Sequence, residues 1–208
     1  MDANTPDIDR LKEQLEAAER DAQALTAGLD QERGAWRATT VSWSVAQCLD
    51  HLANANRVYL QAMREAANGA AKEGKLRRGP LSPGLLGRWF IRTLEPPVKA
   101  PFRIRAPRSI APEPAPLLAD AFDKFTMSQT EVREFLRLYA HLDLGKIRFR
   151  NPFVRGLRFS LVTGLHIIAA HERRHLWQAW RVRRVAESST GVSSATGSTR
   201  AMADSMRG

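Results

Sequence analysis

Two histidines stand four positions apart near the end of the chain, at His171 and His175. Residues four apart in an α-helix project from one face, so both imidazoles can bind the same metal ion. At about 100° per residue they share one stripe with mainly apolar neighbours, which marks the stripe as the inward face of a helix. Its other members are Leu161, Gly164, Ile168, Gln178 and Val182.

A third histidine, His51, lies in the middle of the inward stripe of an earlier predicted helix. A buried neutral imidazole needs partners for its ring nitrogens. A single histidine of this kind is more often a satisfied core residue than a ligand. Three inward histidines on two helices, however, can satisfy one another through a divalent metal ion. His141 and His166 are interpreted as helix-end or surface residues, since His166 falls roughly opposite His175 on its helix.

The segment from His171 to His175 also matches the H-E-x-x-H pattern of zinc metalloproteases, with Glu172 as the general base. Those enzymes usually take a third ligand from downstream. No histidine follows His175, and Glu172 falls outside the centre of the inward stripe. The sequence therefore gives little support to a protease.

The elements that position these residues are predicted to be helices. Apolar residues at alternating spacings of three and four predict a first helix over residues 6–33. Ser44 and Gln47 form a capping box that starts a second helix, which ends near residue 67. A third is predicted over 116–141 and a fourth over 159–185, with Asn151 in a turn between them. No segment predicts a convincing strand, so the expected fold is all-α, a four-helix bundle.

The connection between the second and third helices is long and rich in proline and arginine. Nine of the eleven prolines lie between Pro80 and Pro116, which excludes long regular elements there. One short helix is predicted over 83–94. We expect residues 1–186 to form the bundle domain and residues 187–208 a disordered tail, because that segment is rich in Ser, Thr, Gly and Ala without apolar periodicity.

Composition limits the class of protein. The lone Cys48 excludes a disulfide framework and a cysteine-based zinc site. No apolar run reaches the ~18 residues of a membrane span, and no signal-type stretch opens the chain, so we expect a cytoplasmic protein. The net charge of +10 invites a nucleic-acid interpretation. The excess nevertheless lies in connections, above all in residues 72–108, and not along one helix face.

Two motifs resemble a known family. The segment from Trp43 to Leu52 resembles the W-S-x-x-x-x-x-x-H-L opening of the DinB-like (DinB/YfiT) superfamily. The segment from His171 to Gln178 resembles its closing H-x-x-x-H-x-x-Q signature. The short Pro-containing turn at Asn151 is similar to one that the family often has before its last helix. The resemblance extends over roughly residues 8–185.

The resemblance implies a four-helix bundle with a divalent metal held by His51, His171 and His175. Family members of known activity include thiol-dependent S-transferases, a mycothiol-dependent isomerase and a domain of ergothioneine-synthesising enzymes, whereas many others have no assigned reaction. The family name refers to damage-inducible expression and does not imply DNA chemistry.

Three neutral imidazoles leave at least one coordination position open, which is typical of catalytic sites. Zinc, nickel and iron all suit such ligands. An open position can bind water or hold a substrate thiol as the nucleophilic thiolate. Gln178 can hydrogen-bond the ligand or a bound water, whereas Cys48 is interpreted as a core residue and not as a fourth ligand.

Two functions from different classes remain open. The first is a metal-dependent thiol S-transferase or hydrolase acting on a small molecule, with a low-molecular-weight thiol as one candidate substrate. Arg78, Arg88 and Arg92 are then candidates to attract an anionic co-substrate, although a solvated charged connection is the favoured interpretation of them. The second is a non-catalytic module whose basic loops bind nucleic acid or an anionic surface, but no recognition motif supports nucleic acid. The sequence is also compatible with a homodimer. A degenerate family member that binds metal structurally or not at all remains a further possibility.

Overall fold

The computed structural model describes residues 6–77, 79, 81–97 and 106–204, with side chains over 7–77, 79, 81–97 and 106–189. These residues form an all-α bundle with one small hairpin, which confirms the predicted fold class. In chain order the elements are α1 (Pro6–Thr26), α2 (Gln31–Ala35), α3 (Val45–Lys72), α4 (Leu85–Leu94), a 3-10 turn (Arg108–Ile110), α5 (Leu118–Tyr139), β1 (Arg148–Arg150), β2 (Arg158–Ser160) and α6 (Leu161–Asp204).

The first predicted helix is divided into two. The chain turns at Gly28, whose φ of +68° favours glycine, and α2 restarts where the Asp30 side chain accepts a hydrogen bond from the Arg33 amide. The prediction of one helix over 6–33 was therefore wrong at its end. Periodicity concealed the break, because Leu25 before it and Leu29 after it are both buried in the core.

The start of α3 is as predicted. Ser44 Oγ accepts from the Gln47 amide at 3.1 Å, and Gln47 Oε1 accepts from the Ser44 amide at 3.2 Å. This capping box satisfies two backbone donors that a helix otherwise leaves free. The helix continues past Gly69 to Lys72, beyond the predicted end near residue 67.

The predicted absence of strands was wrong. Residues 148–150 and 158–160 pair as a two-stranded antiparallel sheet, with Phe149 opposite Phe159 and both rings buried. Each strand is three residues long, too short for alternation to stand out in the sequence. Asn151 shapes the turn between them, because its Oδ1 accepts from the amides of Phe153 and Val154, each at 2.8 Å.

The last helix differs at both ends from the prediction of 159–185. It begins at Leu161 because Phe159 belongs to the hairpin, and it runs to Asp204. Helix thus continues through most of the segment expected to be disordered; no proline interrupts it, and extending a formed helix costs little compared with nucleating one. The domain boundary at residue 186 stays a prediction.

The four long helices form a ring in which α1 and α3 each contact both α5 and α6. Two clusters of buried apolar side chains fill the centre of the bundle, one around Phe135 and Phe159 and the other around Phe125 and Leu176. The short α4 packs on α6, where Gly87 lies so close to Thr163 that a Cβ atom would come within 2.7 Å of it. Among the described helices, none is both long and apolar enough to cross a bilayer.

Candidate metal centre

The bundle brings His51 of α3 together with His171 and His175 of α6. Their candidate ligand atoms all lie within 4.8 Å of one another. The imidazole of His51 has its ring centroid 5.0 Å from that of His171 and 4.6 Å from that of His175. The helix periodicities predicted this juxtaposition of one residue from α3 and two from α6.

Hydrogen bonds on the outer nitrogens orient two of the three rings. His51 Nδ1 lies 2.7 Å from the carbonyl oxygen of Ile110, and His175 Nδ1 lies 3.0 Å from Oε1 of Gln178. Both partners are acceptors, so each Nδ1 carries the proton and each Nε2 keeps its lone pair. Partners of this kind commonly fix the tautomer of metal-binding histidines.

One pair of inner nitrogens has the spacing that two ligands of the same metal ion require. His51 Nε2 and His171 Nε2 lie 3.3 Å apart. Two imidazole nitrogens bound to tetrahedral zinc at ~2.0–2.1 Å are themselves separated by roughly 3.3–3.4 Å. The donor set therefore fits zinc, and nickel or iron suits imidazole as well.

Burial keeps the three imidazoles neutral. Removal from water, followed in size by repulsion from the neighbouring histidines, lowers the pKa of His171 to about 3 and the pKa of His175 well below its usual value. Burial also lowers the pKa of His51, although its bond to Ile110 and the charge of Asp50 oppose this. Neutral imidazole is the form that binds a metal.

Trp43 forms one side of the cluster. Its indole ring lies 4.6 Å from the ring of His51 and 5.6 Å from that of His175, measured between centroids. The side chain precedes the capping box of α3 and is partly buried. Trp43 belongs to a motif that the sequence shows, but the sequence analysis assigned it no role. Its position one residue before the capping serine is the feature from which a role near the site could have been inferred.

The crossover is fixed to α3 next to the cluster. Asp50, which is fully buried, accepts from the Glu113 amide at 2.9 Å and from Lys124 Nζ at 3.0 Å. Gln47 Nε2 donates to the carbonyls of Glu113 and Pro114. These bonds hold the chain that carries the Ile110 carbonyl against His51. Sequence reasoning missed Ile110, because a backbone acceptor 59 positions away leaves no trace in residue type.

Glu172 points away from the histidines. Its carboxylate is fully buried, and Oε1 accepts from Asn56 Nδ2 at 2.8 Å. Asn56 Nδ2 also donates to Ser128 Oγ on α5. Burial raises the pKa of Glu172 to about 7. The position of this carboxylate does not match that of the general base in an H-E-x-x-H protease.

The other predicted site residues are placed as follows. Gln178 accepts from His175 Nδ1, so its contact is with the histidine and not with a position inside the cluster. Cys48 is completely buried, and burial raises the pKa of its thiol to about 12, which agrees with a core residue.

Arg88 and Arg92 are exposed on α4, and Arg78 lies outside the described residues. His141 is exposed just after α5, and His166 is partly buried away from the cluster.

No curated protein and no solved structure matches the chain. Residues 14–179, by contrast, match the sequence profile of the DinB superfamily. This span contains α3 with His51, the crossover and the part of α6 that carries His171, His175 and Gln178. On this match over most of its length, the chain belongs to the DinB superfamily.

Proposed function

We propose that the protein is a metal-dependent enzyme, either a thiol S-transferase or a hydrolase, that acts on a small molecule. The observation that carries this proposal is the set of three neutral imidazoles whose candidate ligand atoms lie within 4.8 Å of one another, two of the rings being oriented by Nδ1–H donation. Three protein ligands leave a coordination position for a reactant, whereas structural zinc sites are usually closed by four.

A divalent metal held there supplies Lewis acidity, which lowers the pKa of a water or thiol at the open position. The chain supplies the orientation of the rings through Ile110 and Gln178 and partial exclusion of water through Trp43. No carboxylate belongs to the cluster among the described residues, so the full charge of the metal acts on the reactant.

The first test is metal content. Purified protein, reconstituted separately with zinc, nickel and iron, is expected to retain one equivalent of at least one metal after desalting. The loaded form is then assayed with a panel of thiols and electrophiles and, in parallel, with ester and amide substrates. A protein that retains no metal under any of these conditions would contradict the proposal.

A second candidate function, reversible binding to an anionic membrane surface, is supported by α4. Leu85, Leu86 and Trp89 are 79%, 55% and 63% exposed. Arg88 and Arg92 share this outer face, and it carries no acidic residue. Interfacial helices combine exposed Leu and Trp with cations that attract anionic lipid. A second copy of the chain fits less well, because a symmetric contact would bring the same arginines together.

Vesicle flotation tests the membrane function. We expect binding to phosphatidylglycerol vesicles but not to phosphatidylcholine vesicles, and a loss of about fivefold or more when Leu85 and Trp89 are both replaced by glutamine. Met127→Gln is the matched control, because Met127 is 59% exposed on a different helix. Equal loss with the control, dimer dissociation in the double variant, or stronger binding to duplex DNA than to the vesicles would each reject it.

A further inference from the structure

A cavity of about 130 Å³ lies directly beside the histidine cluster. His171 forms part of its wall, so the cavity and the candidate metal centre share a side chain. The other walls come from α3, α4, α6, the 3-10 turn of the crossover and the turn that follows β1. The cavity thus lies where the non-reacting part of a substrate would extend from the metal.

Most of the cavity wall is apolar. Six of the lining side chains are large and hydrophobic, namely Phe90, Leu94, Ile110, Phe153, Ile167 and Ile168. Among the described residues, no Asp, Glu, Lys or Arg lines the cavity. An ionised group placed there would lose its hydration without gaining an opposite charge, which is strongly unfavourable.

The polar lining residues are largely occupied within the protein. Asn56 uses its Nδ2 donors on Glu172 and Ser128. The hydroxyl of Tyr59 accepts from Asn151 Nδ2 at 2.9 Å, and burial raises its pKa, so it keeps its proton. Asn56 Oδ1 has no hydrogen-bond partner among the described residues, so the polar contacts left for a ligand are few and lie mainly at Asn56 and His171.

The volume suits a single aromatic ring or a short branched alkyl group. An engineered cavity of about 150 Å³ lined by Leu, Ile and Phe stays dry and binds benzene. The cavity here is slightly smaller and partly open to solvent, and its large apolar side chains are of the same kind, although Asn56, Tyr59 and His171 also line it. Binding of an apolar group would replace empty space or poorly bonded water with dispersion contacts.

We infer that this cavity is the binding site for an uncharged, apolar group of the substrate, of about the size of one benzene ring. The role of this cavity in catalysis rests on the proposed function, because the apolar group would be bound beside His171. Anionic parts of a substrate or of a thiol co-substrate must remain outside the cavity, since none of the described residues that line it is cationic.

The test uses fluorobenzene as the probe and ¹⁹F NMR line broadening as the readout, first on metal-free protein. We expect saturable binding by the wild type. Leu94→Trp should weaken binding at least tenfold, because Leu94 is partly buried at the end of α4 and a larger side chain there fills the cavity. Leu86→Trp on the exposed face of the same helix is the matched control and should bind as the wild type does.

A comparison on the unaltered protein makes the test independent of any variant's folding. 4-Fluorobenzoate should bind at least tenfold more weakly than fluorobenzene, because its carboxylate finds no partner in the cavity. Equal affinity for the two probes, no saturable fluorobenzene binding, or unchanged binding by folded Leu94→Trp would overturn the inference.

The same experiment separates this inference from the proposed function. His175→Ala, which lacks one candidate ligand, should still bind fluorobenzene, because neither His175 nor its partner Gln178 lines the cavity. If the protein binds fluorobenzene but retains no metal, the metal-dependent function is contradicted and the cavity assignment stands. If the protein retains metal but binds no probe, the cavity assignment is contradicted and the metal-dependent function stands.

Discussion

Replacing His175 with alanine is expected to abolish retention of a divalent metal. The substitution removes one of three imidazoles and also removes the hydrogen bond between His175 Nδ1 and Gln178 Oε1. Loss of an outer hydrogen-bond partner alone typically costs ~10–100-fold in metal affinity, and loss of a ligand costs more. Competition with a chromophoric chelator measures the affinity, and circular dichroism verifies that the variant is folded.

Gln178→Ala and His141→Ala provide graded controls for that experiment. Gln178→Ala should weaken metal binding by about 10–100-fold without abolishing it, because His175 stays in place but loses the acceptor of its Nδ1 proton. Gln178→Glu should restore most of the affinity, since a carboxylate also accepts that proton. His141→Ala should have no effect, because His141 is exposed outside the cluster. Equal affinities for wild type and His175→Ala would exclude His175 as a ligand.

Gly164→Val should lower the free energy of unfolding by roughly 2–3 kcal/mol. A Cβ atom at Gly164 would lie 2.8 Å from Met63 Sδ and 2.9 Å from the ring of Phe149, closer than packed carbons approach. Met63 and Phe149 are both buried, so neither can move out into solvent. Urea denaturation followed by circular dichroism measures the change in free energy.

Gly69→Val is the matched control on α3. Gly69 is exposed, and nothing lies within 4 Å of the Cβ that a side chain would add there. Valine has a higher helix propensity than glycine, so the free energy of unfolding should rise by about 0.3 kcal/mol. If Gly164 is closely packed, Gly164→Val should lower the free energy of unfolding whereas Gly69→Val should raise it. Equal effects would show that the space around Gly164 relaxes without cost.

The parts of the structure that follow from local rules could be predicted from the sequence. The capping box at Ser44 and the shared face of His171 and His175 depend on residues three or four apart, and α3 begins where its cap predicts. The alignment of His51 with the other two followed from matching two inward faces in a bundle. Local periodicity did not predict the break at Gly28, because the apolar spacing continues across the turn that ends the helix.

The short helix predicted over 83–94 is confirmed by α4, but the contacts of the crossover could not be predicted, because they depend on tertiary structure. Local spacing does not reveal that the carbonyl of Ile110 orients His51 or that Phe90 and Leu94 line the cavity. The three-residue strands around Phe149 and Phe159 are similarly stabilised by burial between helices and not by strand propensity.

The bond between His51 and Ile110 has a consequence for sequence variation. The acceptor is a backbone carbonyl, which every amino acid possesses, so substitution at position 110 can alter the cavity wall and still leave an acceptor for the imidazole. Phe90 and Leu94 likewise belong to a short helix that carries none of the three histidines. Substitutions confined to the crossover can thus reshape part of the cavity wall without changing any of the three histidines.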